Sequence, residues 1–181
     1  MKDFVLKLVR EAVENYVKNG RRIDIPTDYP KELKERKGVF VTLYKKGFLR
    51  GCIGLPYPQK SLIEGLIEAA TLVCEDPRFE SVKQEELKDI IIEVSILTKP
   101  KLIETNPRDY SKEILIGKHG LIIRKGDLGG LFLPKVPIEQ NWNIEQYLEN
   151  LCYKAGLTGD MWLDPLSRLY KFEAEIISES I

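Results

Sequence analysis

The sequence predicts an α+β fold: helices interspersed with strands in a mixed or antiparallel sheet. Three observations carry this. Apolar residues recur at helical spacing in well-separated stretches, β-branched runs lie between them, and short glycine turns join the extended pieces in hairpin fashion.

Taken in order, Val5, Leu8, Val9, Ala12, Val13, Tyr16 and Val17 share one face of an opening helix that Asn19-Gly20 stops. The proline-rich stretch 25–30 reads as loop. Val39–Tyr44 and Phe48–Leu55 read as two strands joined by Lys45-Lys46-Gly47. Pro56 and Pro58 break the second arm, and Ser61 with Glu64 forms a capping box for a helix whose stripe includes Ile63, Leu66, Ile67, Ala70, Val73 and Cys74. Pro77 ends that helix near Asp76.

Ile90–Thr98 is a β-branched run of buried-strand character, ended by Pro100. Glycines then punctuate short extended pieces at 114–116, 121–125 and 131–133, with no phosphate-loop or dinucleotide spacing among them. Asn143 caps a helix carrying Ile144, Tyr147, Leu148, Leu151, Cys152 and Ala155, which Gly156 ends. Arg168–Ile177 reads as one closing strand, with Tyr170, Phe172, Ala174 and Ile176 on one face.

Composition narrows the function classes. The chain has 181 residues, 43% hydrophobic and 31% charged, as expected of a globular protein with a substantial core. Basic and acidic residues both number 28, so no global field recruits nucleic acid or an anionic membrane. No signal peptide or membrane-length apolar run is present, which predicts a cytosolic protein. Cysteines at 52, 74 and 152 have no paired spacing, and His119 is the sole histidine, so neither a disulfide framework nor a metal site is expected, and no cofactor. Lys, Glu and Ile richness suggests a heat-adapted source.

The densest chemistry lies in Leu49-Arg50-Gly51-Cys52-Ile53-Gly54-Leu55. Glycines weaken a strand, so two around a cysteine imply that something approaches the backbone closely. Alternation puts Arg50 and Cys52 on one face and Leu49, Ile53 and Leu55 on the other. A guanidinium beside a thiol favours the thiolate, giving a nucleophilic or ligand-binding Cys52; equally, Cys52 is a small buried hydrophobe and Arg50 serves a structural ion pair. His119, between glycines on a turn, is expected to be accessible, either as the base for Cys52 or as an ordinary turn histidine. Trp142, after the loop that carries Glu139, is either a lid over a pocket or a helix-entry staple.

These residues resemble the AMMECR family through ordered motifs: Leu49 to Gly54, Asp76-Pro77-Arg78-Phe79, Ile92 to Leu97, Gly117 to Gly120, Leu133 to Trp142, and Cys152 to Leu157. The resemblance covers nearly the whole chain, so residues 1–181 are read as one domain of this type, with a small subdomain within it left open. It implies a barrel-like, mostly antiparallel sheet with flanking helices, but no settled activity. The motif positions fall on Arg50, Gly51, Cys52, Gly54, Asp76, Arg78, His119, Gly120, Pro134, Glu139, Trp142 and Lys154. Lys135, Pro137 and Asn143 depart from the family's usual glutamine, alanine and aspartate. Some relatives are encoded with, or fused to, Memo-like and radical-SAM proteins, which implies partners of that kind.

Three functions follow as expectations. The first is an enzyme with Cys52 as nucleophile, His119 as base and Arg50 stabilising charge, while Arg78, Glu139 and Trp142 bind substrate or partner. The second is a non-catalytic binding or adaptor module working with the Memo-like and radical-SAM proteins. Balanced charge puts nucleic-acid binding last.

Overall fold

A computed structural model describes residues 1–180. The described chain forms two compact units, residues 1–97 with 175–180, and Thr98–Ala174. Each carries an antiparallel sheet with flanking helices, so the α+β class holds, and neither four-stranded sheet closes into a barrel.

In the first unit, α1 (Lys2–Asn19) buries Val5, Leu8, Val9, Ala12 and Val13, and Gly20 terminates it in the left-handed conformation while donating to the Tyr16 carbonyl at 2.8 Å. Strands β1 (Val39–Lys45) and β2 (Phe48–Leu55) form the expected hairpin. Lys46 and Gly47 both have positive φ, which makes the two-residue turn type I′ and matches the twist of the arms. Helix α2 (Leu62–Leu72) starts where Glu64 accepts the Ser61 amide at 3.0 Å, and a 3₁₀ turn, Val73–Glu75, continues it to Asp76. With β3 (Ile90–Leu97), β1 makes a second antiparallel ladder, and both helices pack their apolar stripes into the core beneath it.

The second unit holds β4 (Lys101–Leu102), α3 (Tyr110–Glu113), β5 (Gly120–Lys125), β6 (Leu128–Phe132), α4 (Val136–Glu139), α5 (Ile144–Lys154) and β7 (Arg168–Phe172). Its sheet runs β4-β7-β5-β6, and α5 covers it with Tyr147, Leu148, Leu151 and Cys152. Asn143 and Gln146 cap α5 reciprocally, at 2.9 and 3.0 Å.

Several expectations are corrected. Residues 114–116 are not a strand; they lead into a turn that ends at His119. The closing strand is two strands, β7 and β8 (Ala174–Ser178), interrupted at Glu173. β8 belongs to the first sheet, which runs β2-β1-β3-β8. The buried residues there are Leu169 and Phe172, on opposite faces of β7, and Ile177 in β8, so a single alternation of Tyr170, Phe172, Ala174 and Ile176 fails within β7 as well as after the chain changes sheets.

The glycines flanking Cys52 answer to packing within the fold. Gly54 faces Phe40 across the hairpin, and a Cβ there would stand 2.2 Å from the ring; at Gly51 it would stand 3.0 Å from the Val73 carbonyl oxygen. The second unit repeats the device, since Gly120 faces Phe172 and a Cβ would again fall 2.2 Å from the ring. Gly54→Ala should therefore destabilise the protein by about 1–3 kcal/mol through overpacking. Urea unfolding checks this, and Phe40→Ala should suppress much of the added cost, because the two residues share one contact.

Candidate functional site

The candidate residues divide between the units. Arg50, Cys52 and Arg78 belong to the first; His119, Glu139 and Trp142 belong to the second.

Cys52 lies mid-strand in β2, half-buried, opposite Thr42. Thr42 is itself buried, and its hydroxyl donates to the Cys52 sulfur at 3.3 Å. The backbone of Cys52 is held from the other side. Asp76 Oδ2 accepts its amide at 2.9 Å, and Arg78 Nη2 donates to its carbonyl at 3.0 Å. The Asp76 carboxylate also accepts the Arg78 amide at 3.1 Å and grips the guanidinium twice, Nε at 3.0 Å and Nη2 at 2.7 Å.

Local sequence explains this arrangement. Pro77 keeps Asp76 out of the helical region, so the chain turns sharply after the 3₁₀ segment, and Gly51 lets that segment approach β2. Asp76 is only 2% exposed, yet it carries enough donors to stay charged. The Arg78 guanidinium, aided by the amides of Cys52 and Arg78, holds its carboxyl down at about 2.

Arg50 is engaged elsewhere. The register slips between Leu43 and Tyr44, which face Gly51 and Leu49, so Arg50 is the extra residue of a β-bulge. The bulge also moves Leu49 opposite Tyr44, onto the face of Thr42 and Cys52, so Leu49 does not join Ile53 and Leu55 as alternation alone predicted. Glu86 takes the Arg50 guanidinium in a fork, at 3.0 and 2.9 Å, and also accepts Lys45 at 2.7 Å and the Lys83 amide at 2.9 Å. Arg50 foremost, then Lys45, pushes the Glu86 carboxyl well below the usual range. An open depression of about 470 Å³ beside this hub is lined by Lys45, Arg50, Phe79, Glu80 and Lys83, but Glu86 already neutralises its two best-placed cations.

In the second unit His119 is 8% exposed, buried where the turn position predicted accessibility. Its Nδ1 accepts the Leu115 amide at 3.0 Å, which leaves the proton of the neutral ring on Nε2, 4.0 Å from Glu173. Burial, then the Lys171 charge, lowers its pKa and keeps the ring neutral. Trp142 immediately precedes the Asn143 cap and packs on Phe132 at 5.5 Å, and Phe132 in turn meets Tyr147. Phe132 thus lies between Trp142 and Tyr147, the N4 residue on which a helix-entry staple would pack directly. Glu139 ends α4 exposed.

Cys74 and Cys152 are buried, and burial pushes the Cys74 thiol up to about 12. Among the described residues no group of three or more His, Cys, Asp or Glu is placed to hold a metal ion, and no helix is long and apolar enough to cross a membrane. Sequence reasoning placed Asp76 among the family's motif positions but not among the site residues, and singled out neither Thr42 nor Glu86 for the site. Asp76 had a signal, a carboxylate before proline at a helix end; Glu86 sits in a charged stretch without one.

A family model described as AMMECR1 matches residues 6–177. A protein of Thermococcus onnurineus is 49% identical over 98% of this chain and 89% of its own length. One of Methanothermobacter thermautotrophicus is 48% identical over 97% of this chain and 92% of its own. A crystal structure of an uncharacterised protein from Pyrococcus horikoshii superposes with a TM-score of 0.93 at 46% identity, covering 98% of this chain and 90% of that one.

The Asp76 cluster has a pH signature. Its folded pKa is depressed, so its contribution is present above the unfolded value of about 3.9 and is lost as pH falls towards about 2. The shift corresponds to ~2 kcal/mol. Asp76→Asn should lose about that much stability at neutral pH, and its urea midpoint should fall less steeply than the wild type's between about pH 4 and about pH 2.

Proposed function

The chain belongs to the AMMECR1 family, and from that premise we propose that it is a non-catalytic recognition module whose contact point is Arg78 beside Cys52. Its partners are proteins of the Memo-like and radical-SAM kind, in keeping with the family resemblance. The observation that carries this reading is the prior engagement of the groups a thiol enzyme would need. Arg50 is held in a fork by Glu86. His119 has its only lone-pair nitrogen on the Leu115 amide, and a general base must offer that lone pair.

Arg78 is in the opposite condition. Its side chain is 57% exposed although Asp76 fixes its orientation through Nε and Nη2. The Nη1 edge makes no hydrogen bond to the described residues, so an oriented donor pair faces outward for a carboxylate or phosphate on a partner. Arginine in such a position commonly dominates recognition.

One contact favours the second reading, a Cys52-centred enzyme with His119 as base: the Thr42 hydroxyl donates to the sulfur and so orients the atom a nucleophile would use.

Alkylation of residue 52 by iodoacetate and by iodoacetamide, followed by mass spectrometry between about pH 6 and about pH 9, separates the two. For a recognition module the wild type should react within about threefold of a free peptide thiol, and His119→Ala should change nothing. The preference for the anionic reagent should fall several-fold in Arg78→Ala. A reaction about tenfold or more faster than the peptide, lost in His119→Ala, would establish the enzyme instead. Calorimetry with a purified Memo-like protein gives the second arm: binding should survive Cys52→Ser and weaken by about 2 kcal/mol or more in Arg78→Ala.

A further inference from the structure

We infer that Asp76 and Arg78 stand in for a missing neighbour strand on the open edge of the first sheet, and so keep two copies of this chain from pairing through β2. This goes beyond the recognition reading and does not depend on it.

β2 ends the strand order, with β1 on one side and no strand on the other among the described residues. The polar groups of Cys52 point to that open side, because both find their partners there and not on Thr42, the residue opposite. A carboxylate oxygen takes the amide at 2.9 Å, where an adjoining strand would place a carbonyl. A guanidinium N–H meets the carbonyl at 3.0 Å, where that strand would place an amide. The two side chains thus imitate one residue of a partner strand, in both donor and acceptor sense.

The segment they cover needs such a guard. Gly51-Cys52-Ile53-Gly54-Leu55 is uncharged, and it lacks the lysine or inward-pointing charge that usually blunts an exposed edge. Its two ends are already closed to pairing, by the Arg50 bulge and by Pro56. Cys52 lies between them, where the edge would otherwise be open. The occupant excluded is a second copy: an antiparallel β2–β2 contact is isologous, uses the same five residues twice, and requires no other complementary surface.

The test is sedimentation equilibrium of the full chain under reducing conditions, comparing wild type, Arg78→Ala and Asp76→Ala, with amide exchange measured on the associated species. Asp76→Ala frees both groups and should raise the self-association constant by about tenfold or more; Arg78→Ala frees the carbonyl alone and should raise it less. In Asp76→Ala the Cys52 and Gly54 amides should become protected on association; in Arg78→Ala, where Asp76 still holds the Cys52 amide, the newly protected amide should be that of Gly54. Should Asp76→Ala fail to fold, Arg78→Ala decides the matter, because its side chain lies mostly in solvent. A folded Arg78→Ala that associates no more tightly than wild type overturns the inference. So does association that leaves the Gly54 amide exchanging freely.

Discussion

A carboxylate taken out of water must be met by donors, and the first unit is arranged around meeting the one on Asp76. Its oxygens collect the Cys52 amide, the Arg78 amide and the Arg78 guanidinium. Each of those bonds fixes something else in place: the middle of β2, the turn after α2, and the orientation of a half-exposed arginine. Hydrogen bonds to a charged group contribute about 1.5–3 kcal/mol each when made, and leave a comparable penalty when one partner is removed from a buried site. The cluster therefore ties the helix end to the sheet edge more firmly than the apolar contacts alone would. Gly51 is the condition for it, since a side chain there would meet the Val73 carbonyl and hold the turn away.

Glu86 does for Arg50 what Asp76 does for Arg78, with an opposite consequence. Its carboxylate is shared among Arg50, Lys45 and the Lys83 amide, so these charges satisfy one another and leave no oriented cation facing outward. Both arginines flank Cys52 in sequence or space, and only the partners of each distinguish an arginine engaged in a shared ion-pair hub from one whose side chain stays largely exposed. The glycines carry a similar lesson. Close approach to the backbone was the right reading of Gly51 and Gly54, but the approaching groups are Val73 and Phe40.

The division into two units bears on chemistry as well. Cys52 and its supporting residues are completed by contacts inside the first unit, and His119 by contacts inside the second: Leu115 on its Nδ1, Tyr147 on its carbonyl, Glu173 near Nε2. The reading of each group rests on those local partners.

By itself the sequence determined the α+β class, the hairpin, the capped helices and most of the core, because these follow from periodicity, turn chemistry and capping within a few residues of one another. The ordered motifs likewise carried the family. What only the tertiary structure decided depends on residues far apart in the chain: the bulge that turns Leu49 over, the split of the last strand between two sheets, the burial of His119, and the assignment of Arg50 to Glu86 and Arg78 to Asp76. Register, side-chain partnership and solvent exclusion are set by which segments meet, and a one-residue slip in a ladder changes every face that follows it.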